Sequence, residues 1–469
     1  MRILLVLPSF IPLEKEVHDG LKVVTDLTPP LGILYLGTVL KEKNYDVTLF
    51  DHSVRNIPII KVAKWIVKHF DIIGFSVLTS TLKTAIKISE EIKKLNKDTI
   101  IIFGGVLATI IADKIMNKYN IVDFCVRGEG EYTLINLLEC IKSNNNPKNY
   151  RGITYRENGI VKSTPNAPLI DNLDELPIPD RSLIFKSYKY QLSGLVTPMV
   201  TSRGCPFNCS FCSAGALYNR TIRFRSIENI IEELSLLKNQ GFKDIQITDD
   251  CFVLKKSRVI KICDAIKKEK LDINWHANGR TDTGSVDTFR NMVQAGCKTI
   301  SFGFESGVQR ILDYYNKKID VKSSFDTVKA AKKARFETIF GGFIIGAPTE
   351  TIQEILTTIK FAYKLDVNLF QFQLLSIDPG TPLYNNFVEN GWINDSVDWE
   401  DSKIAADICP KVIKKEILEK IIEKSFIPFI TSPKRLINEY LRSLTSKYRL
   451  SIFKNLPNII KSTLKAEKS

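Results

Sequence analysis

Three cysteines lie close together at Cys205, Cys209 and Cys212, in the stretch Thr-Ser-Arg-Gly-Cys-Pro-Phe-Asn-Cys-Ser-Phe-Cys. This spacing offers three thiolates to a cubane iron–sulfur cluster, which takes four ligands when it serves only as an electron carrier. The iron without a protein sulfur would be open to a small molecule. A structural zinc site prefers four Cys or His ligands in paired spacings, and no neighbouring Cys or His completes such a set. The triad therefore indicates a [4Fe–4S] cluster with chemistry at its open iron.

The spacing Cys-x-x-x-Cys-x-x-Cys, with Phe211 before the last cysteine, resembles the signature of radical S-adenosylmethionine (radical SAM) enzymes. The resemblance implies that the open iron binds the amino and carboxylate groups of S-adenosylmethionine. One electron then cleaves the sulfonium and releases a 5′-deoxyadenosyl radical. It also implies that Phe211 lies against the adenine and that a reductant such as ferredoxin or flavodoxin supplies the electron.

The composition is that of a soluble globular protein, with 44% hydrophobic and 25% charged residues. A chain of 469 residues is long enough for two or three domains. The short apolar N-terminus lacks a signal-peptide cleavage site, and no apolar run approaches the ~18–20 residues of a membrane span. Together with cysteines that form no disulfide framework, these features predict a cytoplasmic protein. Outside the triad we expect buried, apolar roles for the remaining cysteines, Cys125, Cys140, Cys251, Cys263, Cys297 and Cys409.

The formal charge of +14 is densest near the C-terminus. Apolar residues recur there at helical spacing between basic ones. Three alternatives stay open: packing against the rest of the protein, lying on an anionic membrane surface, and, less favoured, binding nucleic acid. The residues concerned are Leu436, Ile437, Tyr440, Leu441 and Leu444, with Lys434, Arg435, Arg442, Lys447, Arg449, Lys454, Lys461, Lys465 and Lys468.

Residues 1–145 alternate short β-rich runs with amphipathic helices, which predicts an α/β fold with a doubly wound (Rossmann-like) parallel sheet. Ligands of such sheets bind at the carboxyl ends of the strands. The loops there contain small residues that let a bulky group approach the backbone. The expected strands are Arg2–Leu7, Asp46–Asp51, Ile72–Val77, Thr99–Phe103 and Phe124–Arg127.

These loops resemble those of a cobalamin-binding domain. The resemblance rests on Ser76-x-Leu78 and Gly104-Gly105, and on Pro29-Pro30-Leu31-Gly32 and the turn Arg127–Glu131, which recur in the cobalamin-dependent branch of radical SAM enzymes. It implies that cobalamin lies against Ser76, Leu78, Gly104, Gly105, Gly128 and Glu129. The Asp-x-His-x-x-Gly motif that supplies an axial histidine is absent, because His52 follows Asp51 directly. A flavodoxin-like domain without the cofactor is the alternative.

The rest of the chain divides at its composition changes. Residues 146–195, with the turn Asn158-Gly159 and the prolines of 176–181, suggest a linker with a short β insertion. Residues 196–383 repeat strand, loop and helix six times, which predicts a partial (β/α)6 radical SAM barrel with its chemistry at the carboxyl ends of the strands. Residues 384–469 form a basic helical region, in which Phe387–Trp392 and Trp399 are expected to cap the barrel.

Further cofactor contacts follow from the resemblance at these strand ends. Asp249 and Asp250 occupy the place of a Gly-Gly-Glu motif that binds the methionine ammonium, although the glycines are missing. Glu305, in Ser-Phe-Gly-Phe-Glu-Ser-Gly, could accept hydrogen bonds from the ribose, or be a structural carboxylate. Arg280 could hold the methionine carboxylate by a fork contact, or pair with Asp282 or Glu305. No side chain is singled out as catalytic.

The leading hypothesis is a cobalamin-dependent radical SAM enzyme that methylates, or otherwise modifies, an unactivated carbon of a lipid-like or small-molecule substrate. Within this class a lipid-modifying role fits the basic C-terminal region best, and a location at the membrane surface is one of the open alternatives for a cytoplasmic protein. Carbon–carbon bond formation or ring closure without methyl transfer is an alternative. An RNA-modifying methylthiotransferase is another, although the additional N-terminal cysteines of that class are missing.

Overall fold

Continuous apolar runs form the first sheet, as expected for parallel strands covered on both faces. The structure is a computed structural model that describes residues 1–9, 28–55, 57–184, 196–433, 437, 440 and 441. The parallel strands are β1 (Arg2–Leu7), β2 (Asp46–Asp51), β3 (Ile72–Ser76), β4 (Ile100–Gly104) and β5 (Phe124–Val126), in the order β2-β1-β3-β4-β5. This is the flavodoxin-like order of a doubly wound sheet, so the predicted fold is confirmed.

Helices cover both faces of this sheet because successive strand residues point to opposite sides. Leu4 and Val6 face one core, and Ile3 and Leu5 face the other. The helices are α1 (Leu31–Glu42), α2 (His52–Arg55), α3 (Ile59–His69), α4 (Leu82–Leu95), α5 (Gly105–Lys118) and α6 (Gly130–Lys142). Helices α3, α4 and α5 pack on the first face, and α1 and α6 on the second.

A hairpin extends the first sheet beyond β5. Strands β6 (Ile153–Glu157) and β7 (Ile160–Ser163) are antiparallel and follow β5 in the strand order. Their turn is made by Asn158 and Gly159, both with positive φ, as the Asn-Gly signal predicted. The sequence analysis placed these strands in an insertion between domains, whereas they are edge strands of the N-terminal sheet.

The second sheet is a six-stranded, fully parallel partial barrel. Its order is β8-β11-β12-β13-β14-β15, the strands following one another along the chain. Residues of these strands and of the surrounding helices form one continuous hydrophobic core. Its strands are β8 (Val196–Met199), β11 (Asp244–Ile247), β12 (Asn274–Gly279), β13 (Cys297–Glu305), β14 (Thr338–Ile345) and β15 (Leu369–Leu374).

Shorter elements and helices connect these strands. Between β8 and β11 lie β9 (Ser202–Arg203), α7 (Ala214–Leu217), β10 (Arg223–Phe224) and α8 (Ile227–Asn239). The later crossover helices are α9 (Lys256–Lys268), α10 (Val286–Gln294), α11 (Gln309–Tyr314), α12 (Val321–Ala334) and α13 (Ile352–Leu365). The six strands predicted from the sequence and the helical connections between them are therefore present.

The segment after the barrel packs on both domains. It contains β16 (Ser376–Ile377), α14 (Pro382–Glu389), β17 (Lys403–Ile404), α15 (Ala405–Ile408) and α16 (Lys415–Thr431). Phe387 lies in the barrel core, but the prediction that Trp399 caps the barrel is wrong. Trp399 is 2% exposed and belongs to the core of the first sheet, edge-on to Tyr119 at the C-terminal end of α5. The reason is the chain path, since Glu400 pairs with Lys118 of α5 at 2.7 Å. None of the helices described is both long enough and apolar enough to cross a membrane.

Candidate cofactor site between the two domains

The carboxyl ends of both sheets open onto one shared cavity of about 410 Å³. From the first sheet come the loops after β3, β4 and β5, and from the barrel the residues that follow β8 and β11. A site bounded by two domains is the usual position for a large ligand. The lining from the first domain includes Ser76, Leu78, Gly104, Gly105, Gly128 and Glu129, and that from the barrel includes Val200, Arg203, Leu217, Tyr218 and Asp250.

The N-terminal loops present backbone rather than bulky side chains to this cavity. Gly105 begins α5 with φ +87, and a Cβ there would lie 3.0 Å from the carbonyl oxygen of Val77 and 3.1 Å from Ser76 Oγ. Gly128 also has a positive φ, but a Cβ there would meet nothing within 4 Å. Leu78 is 41% exposed, unusual for a leucine beside a core. Small residues at these strand ends, with apolar side chains such as Leu78 and Val106 beside them, fit a bulky ring system such as cobalamin.

His52 does not face the cavity. It is fully buried, and its Nε2 lies 2.7 Å from the carbonyl oxygen of Ile57. Burial lowers the pKa of His52. The cavity lining in the described part of the chain contains no histidine, cysteine or methionine.

The three motif cysteines lie in one loop beside the cavity. All three are partly exposed and none is in a disulfide. Burial raises the pKa of Cys205 and of Cys212, and each is raised further by Cys209 nearby. In the described residues no three His, Cys, Asp or Glu side chains could hold a single metal ion. A cubane cluster does not need such a grouping, because it spreads its thiolates over separate irons.

The backbone explains the Arg-Gly-Cys start of this loop. Gly204 has φ +92, and a Cβ there would lie 2.0 Å from the carbonyl oxygen of Thr221. Any side chain at this position would collide with the backbone of Thr221 and displace the loop from the segment that leads into β10. Gly204 therefore fixes where Cys205 begins the cluster loop, and only glycine suits this position.

The two carboxylates after β11 have different surroundings. Asp249 is 1% exposed and accepts hydrogen bonds from Thr201 N at 2.6 Å, Thr201 Oγ1 at 2.5 Å and Ser202 Oγ at 2.6 Å. Asp250 instead lines the cavity. Loss of hydration raises the pKa of Asp250, and Asp249 beside it adds to the shift, which the amide of Gly204 opposes. Of the two, Asp250 is placed to meet a ligand, and Asp249 holds the β8–β9 connection.

Arg280 and Glu305 lie at the ends of β12 and β13, as expected, and each has a partner within the protein. Arg280 Nε lies 2.8 Å from Asp282 Oδ1, one of the pairings left open by the sequence. Glu305 accepts a hydrogen bond from Lys317 Nζ at 2.6 Å and is 7% exposed. Burial opposes the charge of Lys317, but Glu305 and then Cys209 outweigh it and raise the pKa of Lys317. Lys317 was not identified from the sequence.

Glu129 takes part in an ion cluster between the domains. Its Oε1 accepts from Arg203 Nη1 at 2.9 Å and its Oε2 from Arg223 Nη1 at 2.6 Å. Arg203 also donates to Glu131 at 2.7 Å, and its guanidinium lies 4.8 Å from the ring centroid of Tyr35. Burial opposes ionisation of Glu129, but hydrogen bonds from Arg223, the amide of Ile170 and Arg203 lower its pKa overall. Glu129 thus borders the cavity, while its carboxylate ties the first domain to the barrel.

Two further positions concern the barrel end of the site. Phe211 packs edge-on against Tyr315, with ring centroids 5.3 Å apart.

Glu350 Oε2 accepts hydrogen bonds from the amides of Gly346 and Ala347 at 2.7 and 3.0 Å, so it shapes the loop after β14. Burial raises the pKa of Glu350 to about 7. The sequence analysis missed Glu350, although a carboxylate shortly after a strand-end glycine could have indicated it.

Comparison with known proteins places this geometry in a family. The radical SAM superfamily model matches residues 199–362, and the B12 binding domain model matches residues 17–138. An uncharacterised methyltransferase of Pyrococcus horikoshii is 37% identical over 444 residues, 94% of each chain. The chain belongs to the cobalamin-dependent radical SAM methyltransferase family. The anaerobic magnesium-protoporphyrin IX monomethyl ester cyclase of Cereibacter sphaeroides is 26% identical, over 82% of this chain and 63% of that protein.

Solved structures show the same fold. OxsB, described as a cobalamin-dependent S-adenosylmethionine radical enzyme, matches with a TM-score of 0.72 and 18% identity, covering 100% of this chain and 80% of that one. TsrM from Kitasatospora setae, a radical S-adenosylmethionine methyltransferase, matches with a TM-score of 0.69 and 17% identity, covering 83% and 75%. The order of a B12-binding domain before a radical SAM barrel is thus confirmed.

At the level of domains, the predicted cofactor set is also confirmed: a [4Fe–4S] cluster, S-adenosylmethionine and cobalamin. The protein is an enzyme of this family, and radical SAM enzymes require a one-electron reductant such as flavodoxin or ferredoxin. The assignment of individual residues to these cofactors remains a prediction.

Proposed function

We propose that this enzyme transfers a methyl group to an unactivated carbon of a large apolar molecule that binds between its two domains. The observation that carries the proposal is the shared cavity, which is lined by the B12-binding loops and by Arg203 and Leu217, the residues on either side of the cysteine loop. A methyl donor on one wall and a radical source on the other would then bracket one substrate carbon. Proximity of this kind is a main source of rate enhancement.

Named residues would divide the binding of the cofactors. Cys205, Cys209 and Cys212 would bind three irons and leave the fourth for S-adenosylmethionine. Asp250 is positioned for its ammonium group, since a carboxylate opposite an ammonium forms a strong, charge-assisted contact. When bound, the cluster supplies the electron that cleaves S-adenosylmethionine, and cobalamin carries the methyl group. The protein's own part is to place these groups and to keep the interface between the domains closed to water.

The lining of the cavity supports an apolar substrate. Leu31, Leu36, Val200 and Leu217 line it, together with the charged residues Glu129, Glu131, Arg203 and Asp250. Relatives of this chain are named for ring systems of this character: a hopanoid C-3 methylase of Methylococcus capsulatus, 27% identical over 65% of this chain, and a bacteriochlorophyllide d C-12(1)-methyltransferase of Chlorobaculum tepidum, 24% identical over 76%. An extended apolar ring or lipid is therefore the proposed substrate class.

Radical ring closure without methyl transfer is the second candidate, because the cyclase from Cereibacter sphaeroides resembles most of this chain. The RNA-modifying alternative has less support. Its class carries further cysteines for a second cluster, whereas here the six cysteines outside the motif are individually buried.

The two candidates differ in their by-products. The test is anaerobic purification, reconstitution with iron, sulfide and hydroxocobalamin, and incubation with S-adenosylmethionine, a reductant and a panel of hopanoids and tetrapyrroles. Methyl transfer produces both S-adenosylhomocysteine and 5′-deoxyadenosine, and a product heavier by one methylene. Ring closure produces 5′-deoxyadenosine without S-adenosylhomocysteine. A protein that binds iron but no cobalamin, and makes only 5′-deoxyadenosine, contradicts the proposed methyl transfer.

Association with an anionic membrane surface would give the enzyme access to such substrates. Ile437, Tyr440 and Leu441 recur at helical spacing and are 58%, 50% and 54% exposed. About half of each side chain is thus open to solvent, and the flanking sequence is strongly basic. An amphipathic basic segment of this kind binds lipid headgroups by charge and apolar burial together.

Vesicle flotation tests this association. The full chain should float with phosphatidylserine vesicles at low salt and remain unbound with phosphatidylcholine vesicles. The matched variant ends after Pro433, since truncation near Thr381 would remove Phe387, Trp399 and Leu418 from the two hydrophobic cores. Equal flotation of the full chain and this truncation would exclude the C-terminal segment as the membrane contact.

A further inference from the structure

Every face of the Arg280 guanidinium has a contact within the protein. Nε lies 2.8 Å from Asp282 Oδ1, Nη2 donates to the carbonyl oxygen of Lys317, and Nη1 points at Cys209 Sγ, 3.7 Å away. The plane of the group lies over the ring of Phe207, 4.0 Å from its centroid. Arg280 is only 5% exposed.

A bidentate contact with a carboxylate needs two parallel N–H groups on one edge of the guanidinium. Each of the three guanidinium nitrogens already faces a protein group: Nε faces Asp282 in an ion pair without hydrogen-bond geometry, Nη2 the carbonyl oxygen of Lys317, and Nη1 Cys209. We propose that Arg280 does not bind the methionine carboxylate but is a positioning residue for the cluster, donating an N–H···S hydrogen bond to Cys209 and raising the reduction potential of the bound cluster. The inference rests on the proposed binding of the cluster by the cysteine triad.

The expected direction follows from charge. Reduction adds an electron to the cluster, and a nearby cation or N–H donor stabilises the more negative state, so the potential rises. The effect is strong where water is scarce, as it is around this nearly buried side chain. The other cation close to Cys209 is Lys317, whose ammonium group is hydrogen bonded to Glu305. Arg280 is therefore the cationic side chain that the structure places in direct contact with the thiol.

The loop and the segment that carries Lys317 are held in register by several bonds. Ser210 N donates to Tyr315 O at 2.9 Å, and Asn316 Nδ2 donates to Asn208 O at 2.7 Å. These contacts bracket Cys209 on both sides. Because the same segment supplies the Lys317 carbonyl that orients Arg280, the distance between the guanidinium and the sulfur is set by the fold and not by an exposed, mobile side chain.

The test is an EPR-monitored redox titration of the reconstituted protein. Arg280→Gln removes the charge at a similar side-chain length. At a given potential the ratio of reduced to oxidised cluster should fall at least tenfold in this variant, which corresponds to a reduction potential lower by about 59 mV for a one-electron couple. Arg280→Lys keeps the charge but loses the planar donor and should fall by less. Arg258→Gln is the matched control, because Arg258 is also buried, lies over Phe224 and donates to the Thr201 carbonyl oxygen, without a contact to the cysteines.

Binding of S-adenosylmethionine to the oxidised cluster is measured on the same samples. The inference is supported if both Arg280 variants have a lowered reduction potential of the cluster and an unchanged affinity for S-adenosylmethionine. If Arg280→Gln does not retain iron, the result for Arg280→Lys decides. If the reduction potential equals that of the wild type and the affinity for S-adenosylmethionine is weakened tenfold or more, Arg280 binds the methionine carboxylate and the inference is overturned. Failure of the wild-type protein to bind a cluster would refute the cysteine assignment itself, which separates the two proposals.

Discussion

Arg203 donates to Glu129 across the boundary between the two domains, with 2.9 Å between Nη1 and Oε1. Arg203 is separated from Cys205 of the cluster loop by one glycine, and Glu129 follows the last parallel strand of the B12-binding domain. This contact, with Arg223 and Glu131 around it, connects the loop proposed for the cluster to the loops proposed for cobalamin. The two proposed cofactor sites thus share one polar junction.

We expect Glu129→Gln to weaken this junction severely. The change leaves Arg203 and Arg223 buried with one carboxylate, Glu131, in place of two. Removing one partner of a buried ion pair typically costs about 3–5 kcal/mol, because the remaining charge stays desolvated. Urea unfolding of the cobalamin-free protein measures this loss. Glu157→Gln is the control, since Glu157 forms an ion pair with Lys162 that is open to solvent, and equal stability of the two variants would contradict the assigned role of Glu129.

Cys209→Ala tests the central ligand of the triad. We expect the variant to lose the [4Fe–4S] cluster and 5′-deoxyadenosine formation, while it retains cobalamin, because the B12-binding loops lie on the other domain. Iron analysis and the visible spectrum of the reconstituted protein are the measurements. Cys263→Ala is the matched control, since Cys263 is a buried residue of α9 in the barrel core. A full complement of iron in Cys209→Ala would show that another residue ligates the cluster.

Gly105→Ala tests the proposed cobalamin surface. The substitution forces a side chain into a positive-φ conformation, at a cost of about 1–2 kcal/mol, and brings its Cβ to 3.0 Å from the Val77 carbonyl oxygen. The start of α5 must then shift, and we expect cobalamin retention after gel filtration to fall. Gly159→Ala pays the same backbone cost in an exposed turn, where a Cβ meets nothing within 4 Å. Cobalamin loss in both variants alike would point to general instability in place of a local effect.

Much of the architecture could be predicted because its signals are local. Arg2–Leu7 and Asp46–Asp51 are strands with the predicted bounds, and amphipathic helices alternate with the strands as predicted. Apolar runs of four to six residues between helical patterns define such elements without knowledge of the fold. The cysteine spacing is equally local, since its ligands lie in a single loop.

Contacts between distant parts of the chain could not be predicted in this way. Trp399 packs on the first domain because residues 395–401 return to it, and nothing in their own sequence encodes that path. Lys317 and Arg280 illustrate the same difficulty within the site. Their partners Glu305 and Asp282 were visible in the sequence, but the proximity of both cations to Cys209 arises only when the barrel closes.

Glu350 predicts a pH dependence of stability. Burial raises its pKa from 4.5 to about 7, so the folded protein favours the neutral acid. Between these two pH values the folded protein holds a proton that the unfolded chain has lost, and the contribution of Glu350 to stability is lost as the pH rises from about 4.5 to 7. At about 1.4 kcal/mol per pKa unit the difference is roughly 3 kcal/mol. Gln accepts the same amide hydrogen bonds without a charge, so Glu350→Gln should be the more stable protein above pH 7 and lack this slope.

Thermal unfolding at intervals between pH 4.5 and 8 measures the effect. Glu354→Gln provides the contrast, because Arg310 and the amide of Thr351 lower the pKa of Glu354 to about 2. The stability that Glu354 contributes is present above pH 4.5 and is lost only as the pH falls toward 2, so its removal leaves the slope between pH 4.5 and 8 intact. If the wild type and Glu350→Gln lose stability in parallel over that interval, Glu350 is ionised in the folded protein and the prediction is wrong. The loop after β14 must then supply a hydrogen-bond donor to Glu350 Oε1, which has no partner in the structure.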